Sequence, residues 1–157
     1  MINDNFALTG ALTIAINDEV VQETKNLVVT AGKEWVASRL KDTASPHTIG
    51  AEMSHMAIGT ETTTIAADPV DASDTTLGTE DDRNTLTVDG GTVSANTITY
   101  ACTWPANDPS STATKAITEA GIFNAASGGT MFARTKFAVV NKAPADALTI
   151  TWTITVS

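Results

Sequence analysis

Apolar and polar residues alternate along much of this chain with a period of two, the signature of strands that bury one face. The last segment is the clearest. Leu148, Ile150, Trp152, Ile154 and Val156 fall on one side, and Thr149, Thr151, Thr153 and Thr155 on the other. Near the start, Leu8, Leu12, Ile14 and Ile16 share a parity against Thr9 and Thr13. Asn17-Asp18-Glu19 then supplies a turn before Val20-Val21, which predicts a hairpin over residues 6–22. Asn26-Leu27-Val28-Val29 predicts a short buried strand. Thr30 is an N-cap residue type, and Trp35, Val36, Ala37 and Leu40 fall at helical spacing, so a helix is expected over 31–41, closed by 42–46.

Met53, His55, Ala57 and Gly59 alternate with Met56 and Ile58, a further strand. Residues 60–74 are rich in Thr, Ala and Asp and have no apolar period, which predicts a long exposed loop. Residues 77–83 are expected to continue it with one helical turn. Leu86 and Val88 precede Asp89-Gly90-Gly91, a hairpin turn signal. Ile98, Tyr100, Cys102 and Trp104 alternate with Thr97, Thr99, Ala101 and Thr103, and residues 105–114 form a polar loop. Ile117, Ala120, Ile122 and Phe123 mark another strand, turned at Gly128-Gly129. Met131, Ala133, Thr135 and Phe137 then alternate with Phe132, Arg134 and Lys136. Turn signals every ~8–12 residues between short strands predict a mainly β chain. The expected fold is an antiparallel β-sandwich of jelly-roll-like type with one short α-helix at 31–41. It forms a single domain over 1–157, with an N-terminal arm or hairpin over about residues 1–25.

Composition narrows the functions. The chain has 157 residues, enough for one substantial core. Nine Lys and Arg against eighteen Asp and Glu give a net charge of −9. That balance argues against nucleic acid as a partner, because phosphate binding comes from displaced counterions around Lys and Arg. It argues equally against an anionic membrane surface. No apolar run reaches the ~18 residues of a membrane-spanning helix. The start, Met1-Ile2-Asn3-Asp4-Asn5-Phe6, lacks the basic opening and apolar stretch of a secretory signal, so synthesis and release into the cytoplasm are expected. A single cysteine, Cys102, cannot form an internal disulfide.

Little in the sequence suggests chemistry. His47 stands beside a proline and His55 sits within a strand, without the clustered ligands a metal needs. Cys102 alternates with Tyr100 and Trp104 as a core residue would, not as a nucleophile. Asp68, Asp71, Asp74, Glu80, Asp81 and Asp82 invite a calcium reading, but their spacing is not that of an EF-hand loop; a solvated acidic loop is the expectation. Gly90-Gly91 and Gly128-Gly129 lack the helix start and lysine of a phosphate loop. Nothing singles out a carboxylate pair for hydrolysis. Trp35, Trp104 and Trp152 lie in apolar patterns and are expected in the core. No catalytic residue, cofactor or metal is predicted. The residues singled out for partner contact are Met1, Ile2 and Phe6, apolar positions flanking Asn3-Asp4-Asn5, and Thr149, Thr151, Thr153 and Thr155, a flat uncharged strand face.

Several segments resemble small structural proteins of tailed bacteriophages. They are residues 26–40 (NLVVTAGKEWVASRL), 53–60 (MSHMAIGT), 117–124 (ITEAGIFN) with 128–135 (GGTMFART), and 148–154 (LTITWTI). The resemblance covers most of the chain, and none of its motifs is chemical. It implies a virion component. The favoured reading is a capsid decoration (cement) protein on the outer capsid surface, made in the host cytoplasm. Its partners would be the major capsid protein and itself, as a homotrimer. The alternative is a tail-fibre or receptor-binding module, although no repetitive or coiled-coil stalk is present. A small hydrolase is the least favoured reading.

Overall fold

The computed structural model describes residues 6–41 and 51–157. Ten strands and one helix form two five-stranded antiparallel sheets packed face to face, the β-sandwich that the alternation predicts. The first sheet contains β1 (Leu8–Ile16), β2 (Glu19–Lys25), β6 (Thr92–Ser94), β7 (Thr97–Trp104) and β10 (Leu148–Val156), in the order β2-β1-β10-β7-β6. The second contains β3 (Leu27–Val28), β4 (His55–Gly59), β5 (Glu80–Thr85), β8 (Lys115–Phe123) and β9 (Met131–Lys142), in the order β3-β9-β8-β4-β5. The helix α1 spans Thr30–Lys41.

The β1–β2 hairpin turns at Asn17 and Asp18, both with positive φ, as the twist of a two-residue hairpin turn requires. A bulge at Ile14/Ala15 follows, so that β2 leaves the strict register. In the first sheet, Leu12, Ile14, Tyr100, Cys102, Trp104, Leu148, Ile150, Trp152 and Ile154 point inward and are buried. They meet Met56, Ile58, Ile117, Ile122 and Phe132 of the second sheet in one core. Trp104 and Trp152 are therefore core residues, as expected. Trp35 lies at the margin, edge-on to Phe132 with ring centroids 5.9 Å apart. Burial pushes the Cys102 thiol up to about 12, helped by the charges of Asp82 and Asp108, so it stays neutral and unreactive.

Three local readings of the sequence are corrected. The helix begins at Thr30: the Val29 carbonyl accepts from the Lys33 N–H at 3.1 Å, so buried Val29 stands at the cap position expected of Thr30. Asp89-Gly90-Gly91 does not join paired strands; it carries the chain from β5 in one sheet to β6 in the other, with both glycines at positive φ. Residues 80–85 form strand β5 rather than loop or helical turn. No alternation marks them because three of their four charged side chains, Glu80, Asp81 and Arg83, are held in ion pairs. Arg83 takes both carboxylate oxygens of Glu80, at 2.9 and 2.6 Å, and lies over the Phe123 ring. Lys115 bonds Asp81 at 2.6 Å.

Residues 60–79 are largely exposed, as the sequence predicts for 60–74, but the segment is pinned to the second sheet and buries Leu77 against it. The outer face of the second sheet is apolar at Ala57, Phe123 and Met131, and Leu77 and Val29 close over it as a second small core. That is why β4 reads as buried on both sides. The start of α1 is tied to the same segment, since the Thr30 N–H donates to the Ala72 carbonyl at 2.7 Å. Gly32 lets the helix lie directly on β9, because a β-carbon there would collide with the Phe132 carbonyl.

Candidate interaction face and the buried ion network

The threonine row of β10 belongs to a larger surface. Antiparallel register sets Thr155, Thr153, Thr151 and Thr149 beside Thr9, Ala11, Thr13 and Ala15 of β1. On the other side it sets them beside Thr97, Thr99, Ala101 and Thr103 of β7. The outward face of the three central strands is thus nine threonines and three alanines, without a charge. The first charges appear at its margin, on Glu23 and Lys25 of β2. Cross-strand hydroxyl pairs stitch the face together: Thr103 Oγ1 and Thr149 Oγ1 lie 3.0 Å apart, Thr99 Oγ1 and Thr153 Oγ1 3.4 Å. Side chains bonded to each other have fewer rotamers to lose on docking, so the face is partly ordered in advance. Sequence reading identified the β10 row. The β1 and β7 rows were each visible as alternation, but only strand pairing brings the three together.

Of the other residues expected to contact partners, Phe6 is exposed and lies in a groove of about 520 Å³ with Leu8, Val36, Ala37 and Leu40. It stands away from the threonine face rather than on it. Met1 and Ile2 fall outside the described residues, as does His47. The His55 ring is half-buried, and its Nδ1 lies 2.8 Å from the Ser54 hydroxyl. Among the described residues no group of three or more His, Cys, Asp or Glu side chains is placed to hold a metal ion, and no helix is long and apolar enough to cross a membrane.

Most of the acidic residues are engaged by hydrogen bonds or ion pairs, Asp68, Asp71 and Glu80 while still exposed. Glu119, on β8, is fully buried and accepts four hydrogen bonds: from the Thr79 N–H at 2.8 Å, the Gly78 N–H at 3.1 Å, and Arg134 Nη2 and Nε at 2.7 and 3.1 Å. Arg134 also bonds Asp74 at 2.7 Å. Burial alone would lower the Arg134 pKa, but Glu119 and Asp74 outweigh it and raise it further. Lys136 Nζ, nearly buried, bonds the Asp68 carboxylate at 2.7 Å and its carbonyl at 2.9 Å. Glu61 accepts from the Thr63 N–H at 2.8 Å and is held below its ordinary pKa chiefly by that bond. Asp71 is likewise lowered, by Ser73, whose hydroxyl and N–H both donate to it. These are loop anchors: each carboxylate is spent on local backbone or a cation. Asp82 differs. Burial and the neighbouring Asp108 charge raise its pKa, and its Oδ2 is enclosed without a hydrogen-bond partner.

No protein-family model, curated protein or solved structure matches this chain.

Proposed function

We propose that this chain is a non-enzymatic structural protein of a tailed-bacteriophage virion, a decoration protein that docks on the assembled capsid and reinforces it. The observation that carries this reading is the uncharged Thr/Ala face in a chain of net charge −9. Burying that face strips water from hydroxyls that can re-pair, rather than from ions that cannot, so the desolvation cost is small. The resemblance of several segments to small phage structural proteins supports it.

Magnitudes limit the mechanism. Strands ~4.8 Å apart, with same-face residues ~6.8 Å apart, tile roughly 400 Å² over twelve positions. A standard interface takes about 800 Å² from each partner. The threonine face supplies about half, and flanking strands and loops must supply the rest. Small contacts of this kind serve a lattice well, because many equivalent copies act on one shell. The major capsid protein is the partner this mechanism needs, with self-association as a closed oligomer, a homotrimer, adding avidity.

The test is to purify virions, wash them in high salt and measure the copy number of this chain per particle. Hundreds of copies retained after the wash support a decoration protein. Loss at moderate ionic strength, or a copy number of a few dozen, overturns it in favour of the tail-fibre or receptor-binding alternative.

A further inference from the structure

The two sheets do not close completely at the end of the sandwich that α1 covers. A cavity of about 240 Å³ remains there between Ile98, Tyr100 and Ile154 of the first sheet, Phe132 of the second, and Trp35 of the helix. Three of these walls are aromatic. Phe132 stands edge-on to both other rings, its centroid 5.9 Å from that of Trp35 and 6.3 Å from that of Tyr100.

One polar group in the wall is unused. Tyr100 is only 2% exposed, and its hydroxyl bonds no other described residue. A buried tyrosine hydroxyl normally finds a partner, because leaving it bare costs free energy. Burial pushes its pKa up to about 12, so it stays a neutral donor and acceptor. The Trp35 N–H, by contrast, is taken by the Ala51 carbonyl at 3.2 Å. The charged residues on the lining, Arg39 and Glu52, are one of each sign, and Arg39 lies over the Trp35 ring at 4.6 Å. The lining therefore favours neither an anion nor a cation.

Size and walls narrow the occupant. An apolar cavity of about 150 Å³ takes a benzene ring, and pockets for larger ligands start at about 300 Å³. A space of about 240 Å³ suits one ring with a small substituent. Aromatic walls gain edge-to-face contacts from a further ring, beyond its buried area. We infer that this cavity binds a single neutral aromatic ring whose polar substituent hydrogen-bonds the Tyr100 hydroxyl, the chemistry of a phenol. Such a ring comes either as a free phenolic compound or as the side chain of a partner protein's tyrosine. The inference goes beyond the proposed function and does not depend on docking through the threonine face.

The experiment is titration calorimetry on the full chain with p-cresol and with toluene, the same ring and methyl group without the hydroxyl. p-Cresol is expected to bind the wild type saturably, one per chain. Tyr100→Phe keeps the ring and removes the hydroxyl. It is expected to weaken p-cresol binding about fivefold, the net worth of one hydrogen bond, and to leave toluene within about twofold. Its melting temperature should not fall, because the hydroxyl bonds nothing in the protein. Ile98 lines this cavity and not the neighbouring groove at Leu40, so Ile98→Phe is expected to fill the space and abolish binding of both compounds. N-acetyltyrosinamide separates the two sources. Binding comparable to that of p-cresol assigns the ring to a partner's tyrosine, and exclusion of its amide groups assigns it to a free phenol. No saturable p-cresol binding by the wild type, full p-cresol binding by Tyr100→Phe, or full binding by a folded Ile98→Phe overturns the inference. If Ile98→Phe fails to fold, Tyr100→Phe decides.

Discussion

Arg134 reaches Glu119 through two donors, at 2.7 and 3.1 Å, and both residues are sealed from solvent beneath the chain that runs from residue 60 to 79. The pair does more than neutralise itself. Glu119 also takes the Gly78 and Thr79 N–H groups, and Arg134 extends to Asp74, so one ion pair fastens the 74–79 end of the covering segment to the sheet. A buried pair of this kind contributes little over an apolar pair of similar shape, yet breaking it is expensive, because the remaining charge is stranded.

Replacing Glu119 with Ala is therefore expected to cost about 3–5 kcal/mol, the usual loss when one partner of a buried ion pair is removed. The loss should be local first. Amide exchange in residues 74–79 should rise before exchange in β10 does, as expected when one cooperative unit is released from another. Uniform loss of protection in both segments would show that the segment is not separately anchored.

The core row of β10 gives a test of register. Ile150 is fully buried and Thr151 half-buried on the opposite side. Ile150→Ala is expected to lose about 2–5 kcal/mol through lost transfer energy and a residual cavity. Thr151→Ala should stay within about 0.5 kcal/mol. Chemical denaturation of the two variants checks this, and equal losses would contradict the observed facing.

The contrast between those neighbours also shows what the sequence made legible. Alternation in β7 and β10 was readable because one face meets a core and the other does not. β5 was unreadable for the opposite reason: Glu80, Asp81 and Arg83 are satisfied by ion pairs, and no period of two survives. The exposure of the covering segment was legible but its anchoring was not, because Asp68 and Asp74 find Lys136 and Arg134 some sixty residues away in sequence, a pairing no local pattern encodes. The threonine face was half legible, since its rows are local but their adjacency depends on strand order.

Gly32 sets propensity against packing. Gly to Ala in a helix interior usually gains about 1 kcal/mol. Here the added methyl meets the Phe132 carbonyl of β9, so Gly32→Ala is expected to destabilise the protein despite better helix propensity. A raised melting temperature would mean that the helix can lift off β9 at no cost.

Asp82 predicts a pH dependence with a definite sign. Its folded pKa is raised by burial and by Asp108, so the fold favours the protonated acid. That contribution is fully present below the unfolded aspartate value of ~3.9 and is lost as pH rises through the folded value. Near neutrality the ionised group is a net cost. Asp82→Asn should raise the melting temperature at neutral pH and lose this advantage in acid. A melting series over pH checks it, and an advantage that grows toward acid would reverse the sign argued here.

The last prediction concerns the threonine face. A charge placed at its centre has no partner among the eleven surrounding threonines and alanines, and docking would have to dehydrate it. The free protein has no such difficulty, because position 151 faces solvent and a lysine there can extend into water. Thr151→Lys is therefore expected to leave melting within the range of ordinary surface changes, about 0.5 kcal/mol. Binding to phage shells lacking this protein should fall by at least tenfold, since tenfold needs only about 1.4 kcal/mol and an unpaired buried charge costs more. Glu23→Lys, at the margin of the same face, is the matched control: it changes charge by a greater amount but stays at the rim, where solvent screens it. If Thr151→Lys binds like the wild type, or if Glu23→Lys fails equally, the face is not the docking surface, and long-range charge rather than burial governs attachment.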